Sequence, residues 1–309
     1  MTADLPPALS AHDSYGPGAA APHPDAPALA AVAIEVAEAA AQLVRRRRAE
    51  VFGIGGGPAD AATAVQSKST PTDPVTVVDT ECEAAIRAHL ARLRPDDTVL
   101  GEELGGSDAV PDGAVQWVVD PIDGTVNFMY GVPAYAVSLA AQIGGRTVAG
   151  VVVDVAGRET FTAIAGAGAT VTGRDGHRRP LGASAQVDPA LALVATGFAY
   201  RTERRVRQGA LIAELLPQVR DIRRVGAAAL DLCMVAAGRV DAHFEHGLSP
   251  WDWAAGALIA AEAGAQVWAP GTDSGSDAGA VTVAVAPGLA APLIALLDRV
   301  GALEPIPVR

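Results

Sequence analysis

The apolar run Trp117-Val118-Val119 leads straight into Asp120-Pro121-Ile122-Asp123-Gly124-Thr125, and this junction constrains the fold more than any other stretch of the chain. A buried strand ends in a sharp turn here. Pro121 lacks an amide proton and fixes its own φ, while Gly124 permits a backbone geometry or close approach that a side chain would block. The turn aims Asp120 and Asp123 at one point. Two like charges that close repel and push one pKa upward unless a cation neutralises both, so the segment reads as half of a divalent-metal site. A lone Asp-Pro-x-Asp-Gly is more often an ordinary surface turn, and the reading therefore depends on the rest of the chain.

Residues 1 to 27, rich in Pro, Ala, Asp and His without periodicity, are expected to form a disordered tail. Ala30, Ile34, Ala37, Ala41 and Val44 recur at helical spacing and predict a helix from Pro27 to Val51, with Arg45 to Arg48 at its C-terminal end, where cations suit the dipole. Gly53 to Pro58 reads as a turn, because no Gly-Lys-Ser or Gly-Lys-Thr follows it. Val75 to Val78 reads as a strand, and Thr80-Glu81-Cys82-Glu83 as a capping box opening a helix with Cys82, Ile86, His89 and Leu93 on one face. Asp79 then lies at the junction. Thr98 to Leu100 is a further short strand ending at Gly101-Glu102-Glu103, so that three acidic groups follow three strands.

Beyond Pro133, the runs Tyr135 to Gln142, Thr147 to Val155 and Glu159 to Ala165 are joined by glycines and read as an antiparallel meander. The second half alternates short apolar strands with helices, including a helix from Trp251 to Glu262 with Asp252 in its first turn. The expected division is an N-terminal α+β half over 28–185 and a C-terminal α/β half over 186–309, sharing one compact body.

With 309 residues and 50% apolar content, the chain can bury a sizeable core. A formal charge of -12 argues against a nucleic-acid partner, which needs a basic surface. No uninterrupted apolar run reaches the ~18 residues of a membrane span, and no basic n-region or hydrophobic h-region stands at the start, so a cytoplasmic location is expected. Cys82 and Cys233 are too few for a disulfide framework and are read as small core residues. Lys68 is the single lysine beside 22 arginines, which marks it for a duty that a compact ammonium performs and a planar guanidinium does not.

Taken together, Gly101-Glu102-Glu103, Asp120-Pro-Ile-Asp-Gly-Thr-Val-Asn-Phe128 and Trp251-Asp252-Trp-Ala-Ala-Gly256 resemble the motifs of the inositol monophosphatase family in order and approximate spacing. The likeness covers about residues 30 to 309 and is greatest to the bacterial, particularly actinobacterial, inositol-1-monophosphatases. It implies a layered α-β-α-β-α sandwich of the α/β (α+β) class and Mg-dependent hydrolysis of a phosphate monoester, with inositol 1-phosphate giving myo-inositol and phosphate. It also implies lithium sensitivity and a homodimer. The family's metal ligands fall on Glu102, Asp120, the carbonyl of Ile122, Asp123 and Asp252, which would hold two or three Mg2+ ions.

Donor chemistry points the same way, since Mg2+ prefers carboxylate, carbonyl and water oxygens, and paired ions stabilise the attacking and leaving oxygens of an in-line displacement. The resemblance gives Thr125 the role of orienting the attacking, metal-activated water, with Asp79 as proton acceptor or as partner of Thr125. Gly124 and Thr125 would offer backbone amides to the phosphate. Lys68 matches a mobile-loop lysine that approaches the phosphate, Glu245 a residue that accepts inositol hydroxyls, and Gly226 and Ala228 backbone contacts to the substrate. Tyr130 stands where many members carry His or another basic residue.

His243 and His246 flank Glu245 and invite a metal reading, yet imidazole is a poor companion for Mg2+ and the spacing matches no known zinc pattern, so neither is given a catalytic role. Arg201, Arg204, Arg205 and Arg207 read as a solvated helical face, with a contact to a second phosphate as the alternative. The competing activities are those of sibling phosphatases acting on fructose 1,6-bisphosphate, histidinol phosphate or a 3'-phosphoadenosine nucleotide. An acidic Glu245 suits a neutral polyol or a cationic amine better than a second phosphate, which tilts the reading toward inositol phosphate. Outside enzymology, the alternative is a regulatory, RNA-associated binding protein retaining an idle phosphatase fold.

Overall fold

A computed structural model gives the structure of the chain and describes residues 6–9, 12–15, 22–53, 56–57, 65–68, 70, 73–106, 110–111, 113–272 and 274–308. After β1 (Asp13–Tyr15) comes α1 (Ala26–Phe52), whose buried Leu29, Ala33, Val36, Ala40 and Val44 recur every three to four residues and so share one face. By length and composition alone α1 is also long and apolar enough to cross a membrane. Its buried face packs instead in one apolar cluster with Trp117, Val119, Val137 and Val151 of the neighbouring sheet.

Strands β2 (Val65–Ser67) and β3 (Pro74–Thr76) pair antiparallel ahead of α2 (Val77–Leu93). The helix therefore opens a turn earlier than the motif at Thr80 predicts, and the strand stops at Thr76 rather than Val78. The cap explains the difference: Thr76 accepts from the Val78 amide at 3.2 Å, and Asp79 accepts from the Thr76 amide at 2.9 Å. The buried face of α2 is Cys82, Ile86 and Leu90, so Leu93 is displaced to the surface and His89 turns to Glu35.

The chain continues through β4 (Thr98–Gly101), β5 (Val115–Asp123), the short α3 (Thr125–Tyr130), β6 (Ala136–Ile143), β7 (Arg146–Asp154), β8 (Glu159–Ile164), β9 (Gly168–Thr172) and β10 (Arg178–Pro180). These strands form one sheet in the order β10-β9-β8-β7-β6-β5-β4, antiparallel except for the β4–β5 pair. The sequence reading did not include β9 and β10. All three residues of β10 are exposed, so no apolar alternation marks it.

The second half supplies β11 (Leu193–Thr196), α4 (Thr202–Leu215), β12 (Asp221–Arg223), α5 (Ala228–Ala236), β13 (Ala242–His246), α6 (Pro250–Glu262), β14 (Gln266–Ala269), β15 (Val281–Val285) and α7 (Ala290–Arg299). Its six-stranded sheet runs β1-β14-β15-β13-β11-β12. Helices α5 and α6 fill the space between the two sheets in one cluster with Val118 and Val152 on one side and Ala195, Val267 and Ala284 on the other. Alanines 254, 255, 257, 260 and 261 keep α6 slim enough to be covered on both sides. On the far face of the second sheet, Leu211 and Leu215 of α4 and Leu293 and Leu297 of α7 complete a third cluster. The result is five layers, α-β-α-β-α.

Two expectations are corrected. The first 27 residues are not featureless: Leu9 is buried in the third cluster, β1 pairs antiparallel with β14, and α1 already begins at Ala26. Residues 1–5, 10–11 and 16–21 of that segment, and 54, 55 and 58 of the expected Gly53–Pro58 turn, lie outside the described residues. Among the arginines of the α4 region, Arg205 and Arg207 are exposed, but Arg204 is buried. Its Nε donates to the Ile306 carbonyl at 2.7 Å and its Nη2 to the Ser276 carbonyl at 2.8 Å, the planar guanidinium fork reaching two backbone oxygens from different segments.

Candidate active site

Asp120 and Asp123 are three positions apart, and in a regular strand an odd offset sends side chains to opposite faces. Strand β5 continues through both, and not merely up to Asp120. Asp120 is opposite Ser138 and Asp123 opposite Ala136, so three steps on β5 match two on β6. Pro121 has no amide for the ladder, and the extra residue is taken up as a bulge that turns both carboxylates to one side. Gly124 follows at φ 92°, a left-handed conformation that glycine adopts without strain, and starts α3. Asn127 in α3 donates to the carbonyls of Ala134 and Val225, both at 2.8 Å, tying this turn to the segment before α5.

Backbone amides aim each aspartate. Asp120 Oδ1 accepts from the Ile122 amide at 2.9 Å, and Asp252 Oδ2 accepts from Ser249 at 2.7 Å, closing the cap of α6. Asp123 accepts from the Ala228 and Ala229 amides, at 3.2 and 2.7 Å, where α5 begins. That last pair matches a carboxylate to a helix N-terminus. The Thr125 hydroxyl lies 3.0 Å from Asp79 Oδ1 and 3.1 Å from the Ile122 carbonyl. Lys68 Nζ donates to Glu102 at 2.8 Å and to Glu103 at 2.5 Å.

One cavity of about 340 Å³ collects these groups. Lys68, Glu102, Asp120, Ile122, Asp123, Gly124, Thr125, Gly226, Ala228, Glu245 and Asp252 all line it, whereas Asp79 is set back behind Thr125 and 1% exposed. Burial, then the charges of Glu102, Asp123 and Asp252, hold Asp120 well above the usual carboxylate range. Burial followed by Glu102 and Asp123 does the same to Asp252. Asp123 is pushed up to about 7 by burial, although the Ala229 and Ala228 amides pull the other way. Asp79 rises to about 6, chiefly by burial and against its Thr76 bonds. Burial lowers the Lys68 pKa, but Glu102 and Glu103 outweigh it and the net shift is upward. Hard oxygen donors crowded together, with burial and neighbouring charge raising the pKa values of Asp120, Asp123 and Asp252, are a set that a divalent cation satisfies, and the residues fit Mg2+ rather than a thiophilic metal.

Glu245, Arg201, Arg224 and Tyr200 line the same cavity. Burial pushes Glu245 up to about 8, with Arg224 opposing. A side chain at Gly197 would meet this carboxylate, since an ideal Cβ there falls 2.0 Å from Glu245 Oε1. Gly197→Ala is therefore expected to displace Glu245, raising KM for a polyol phosphate about tenfold with a smaller change in kcat, the signature of a lost ground-state contact. Steady-state kinetics check this, and an unchanged KM refutes it.

Glu83 was missed as a support, having been read as part of a cap. Fully buried, it accepts from the Glu103 and Leu104 amides at 2.7 and 3.2 Å and pairs with Arg87 at 2.8 Å, so it shapes the loop that presents Glu102. Only tertiary structure brings residues 83 and 103 together. Removing one member of such a pair leaves buried partners unsatisfied, and Glu83→Ala should cost about 3–5 kcal/mol, measured by urea unfolding. Arg224, Tyr200 and Asp231 are further groups near the cavity that no local motif marked.

The inositol monophosphatase family profile matches residues 25–301. The protein named inositol-1-monophosphatase SuhB from Mycobacterium tuberculosis (strain ATCC 25618 / H37Rv) is 55% identical over 282 residues, which are 90% of this chain and 96% of that protein. A protein named Nus factor SuhB from Pasteurella multocida (strain Pm70) is 43% identical over 201 residues, 65% of this chain and 73% of its own length. The solved structure of Mycobacterium tuberculosis SuhB superposes with a TM-score of 0.76 at 49% identity, covering 91% of this chain and 100% of that one.

Proposed function

Because the chain belongs to the inositol monophosphatase family, we propose that it is a Mg2+-dependent phosphate monoester hydrolase whose substrate is inositol 1-phosphate. The observation that carries this reading is a single cavity lined both by the carboxylates Glu102, Asp120, Asp123 and Asp252 and by Glu245. Those four carboxylates and the Ile122 carbonyl would hold two or three Mg2+ ions. When bound, the cation supplies charge neutralisation at the phosphate and makes water acidic enough to attack near neutral pH.

The chain's own groups do the rest. Thr125 takes a proton from the attacking water as its hydroxyl passes one to Asp79 Oδ1, 3.0 Å away. A carboxylate raised to about 6 is well matched to that exchange near neutral pH. The amides of Gly124 and Thr125 meet the phosphate where the chain turns into α3, and Lys68 closes over it electrostatically. Gly226 offers backbone contact to the polyol. Glu245 accepts hydrogen bonds from the hydroxyls of the polyol. Both halves, 28–185 and 186–309, supply ligands, so the reading treats them as one catalytic body. A homodimer, a cytoplasmic location and inhibition by lithium accompany it.

Arg201 and Arg224 in the same cavity favour a second reading, a sibling phosphatase whose substrate carries another anionic group. Kinetic constants for inositol 1-phosphate, fructose 1,6-bisphosphate, histidinol phosphate and 3'-phosphoadenosine 5'-phosphate, measured side by side with Mg2+, separate the two. The highest kcat/KM for inositol 1-phosphate supports the first. No turnover of any of the four overturns both and leaves the RNA-associated role, to which the relative named Nus factor SuhB lends support.

A further inference from the structure

The geometry points to a separate transition-metal site formed by Asp231, His243 and Glu245, beside the cavity that Glu245 lines. His243 and Glu245 are two apart on β13 and so face the same way, toward α5, which carries Asp231 in its first turn. One ligand atom from each of the three lies within 4.8 Å of the other two. Among the described residues, both carboxylate oxygens of Asp231 and both ring nitrogens of His243 are buried without a hydrogen-bond partner, although each residue is 0% exposed. Thr282 faces Glu245 across the β13–β15 ladder, and its buried hydroxyl is unpartnered as well. Groups of this kind are costly to bury unless something satisfies them.

Protein charges do not settle the account. Asp231 is held far above the usual carboxylate range by burial, then by Glu245 and Asp123. Arg224 opposes this shift and that of Glu245, but no hydrogen bond joins it to either carboxylate among the described residues. Burial drives His243 down to about 3, so its imidazole is neutral and keeps a lone pair for a metal rather than serving as the missing cation. One imidazole and two carboxylates form a zinc-type donor set, distinct from the all-oxygen set that fits Mg2+. Glu245 lines the cavity, which provides an entry path and leaves a coordination position for water or a substrate hydroxyl. The bound ion would tie Glu245 to the back wall.

The inference stands apart from the phosphatase reading, because neither test below measures phosphate release. Full-length protein is equilibrated with Zn2+ in a large excess of Mg2+, and bound zinc is counted after dialysis. Crystals of the same sample are measured on both sides of the zinc absorption edge. One equivalent of zinc and an anomalous peak between the three side chains are expected, with loss of both in His243→Phe and in the isosteric Asp231→Asn. A water-sized feature without anomalous signal in the wild-type crystal overturns the proposal. So does zinc retained at that position in either variant. Should both variants fail to fold, the wild-type crystal alone decides.

Discussion

Asp120→Asn should lower kcat for phosphate release by on the order of 10³-fold or more, since a group contributing several kcal/mol of transition-state charge stabilisation is removed and each ~1.4 kcal/mol is a factor of ten. The substitution is nearly isosteric. The amide oxygen of Asn can still accept from the Ile122 amide, the bond that sets the turn, so the backbone has no reason to move. In chelator the variant should unfold at a higher temperature than the wild type, because one of several repelling buried carboxylates has gone. In excess Mg2+ that order should reverse. A plain structural defect would lower stability under both conditions. Activity above a tenth of wild type, or melting curves without the reversal, would exclude Asp120 from the metal-binding set.

Without divalent cations the protein should lose stability as pH rises from about 4 to about 7. Asp120, Asp123 and Asp252 have folded-state pKa values above the ordinary 3.8, with Asp123 at about 7. Below pH 4 both folded and unfolded chains hold these protons, and no penalty exists. Between the two values the unfolded chain has released protons that the folded chain retains, so each step upward in pH favours unfolding. Above the folded value the penalty is complete, on the order of 4 kcal/mol for Asp123 alone. Mg2+ should abolish it. Urea midpoints at pH 5 and pH 7.5, each with chelator and with excess Mg2+, test the sign: the stabilisation by Mg2+ should grow with pH. A constant difference would mean that the carboxylates are not the cation's ligands.

Wherever a short stretch of chain contains its own geometry, the site was legible in the sequence. Residues 101–103, 120–125 and 251–252 each combine a carboxylate with the turn or cap that aims it. The bulge in β5 was not legible, because the register depends on β6, whose partner residues are thirteen and eighteen positions further along the chain. Thr76 escaped notice as a cap since a second Thr four residues later offered the same local pattern. Long-range pairing hid the rest: Glu83 holds a loop twenty residues on, Arg204 reaches residues 276 and 306, and Asp231 acquires its surroundings only when α5 packs on β13. His243 and Glu245 were visible as an alternating pair, but a pair of residues says nothing of the third. For the fold, the apolar periodicities located the helices and most strands, while the exposed β10 and the three-residue β1 left too little pattern to read.

The position of β1 has a consequence for the protein's solubility. A strand at the margin of a sheet offers unpaired amides and carbonyls to any extended peptide that arrives, and β1 occupies that margin beside β14. Trimming the chain to begin at Ala26 would bare the outer side of β14 and turn it into a template for another molecule. Such a truncated protein should retain its carboxylate cavity and yet self-associate through that edge, so β1 would act as a guard against aggregation.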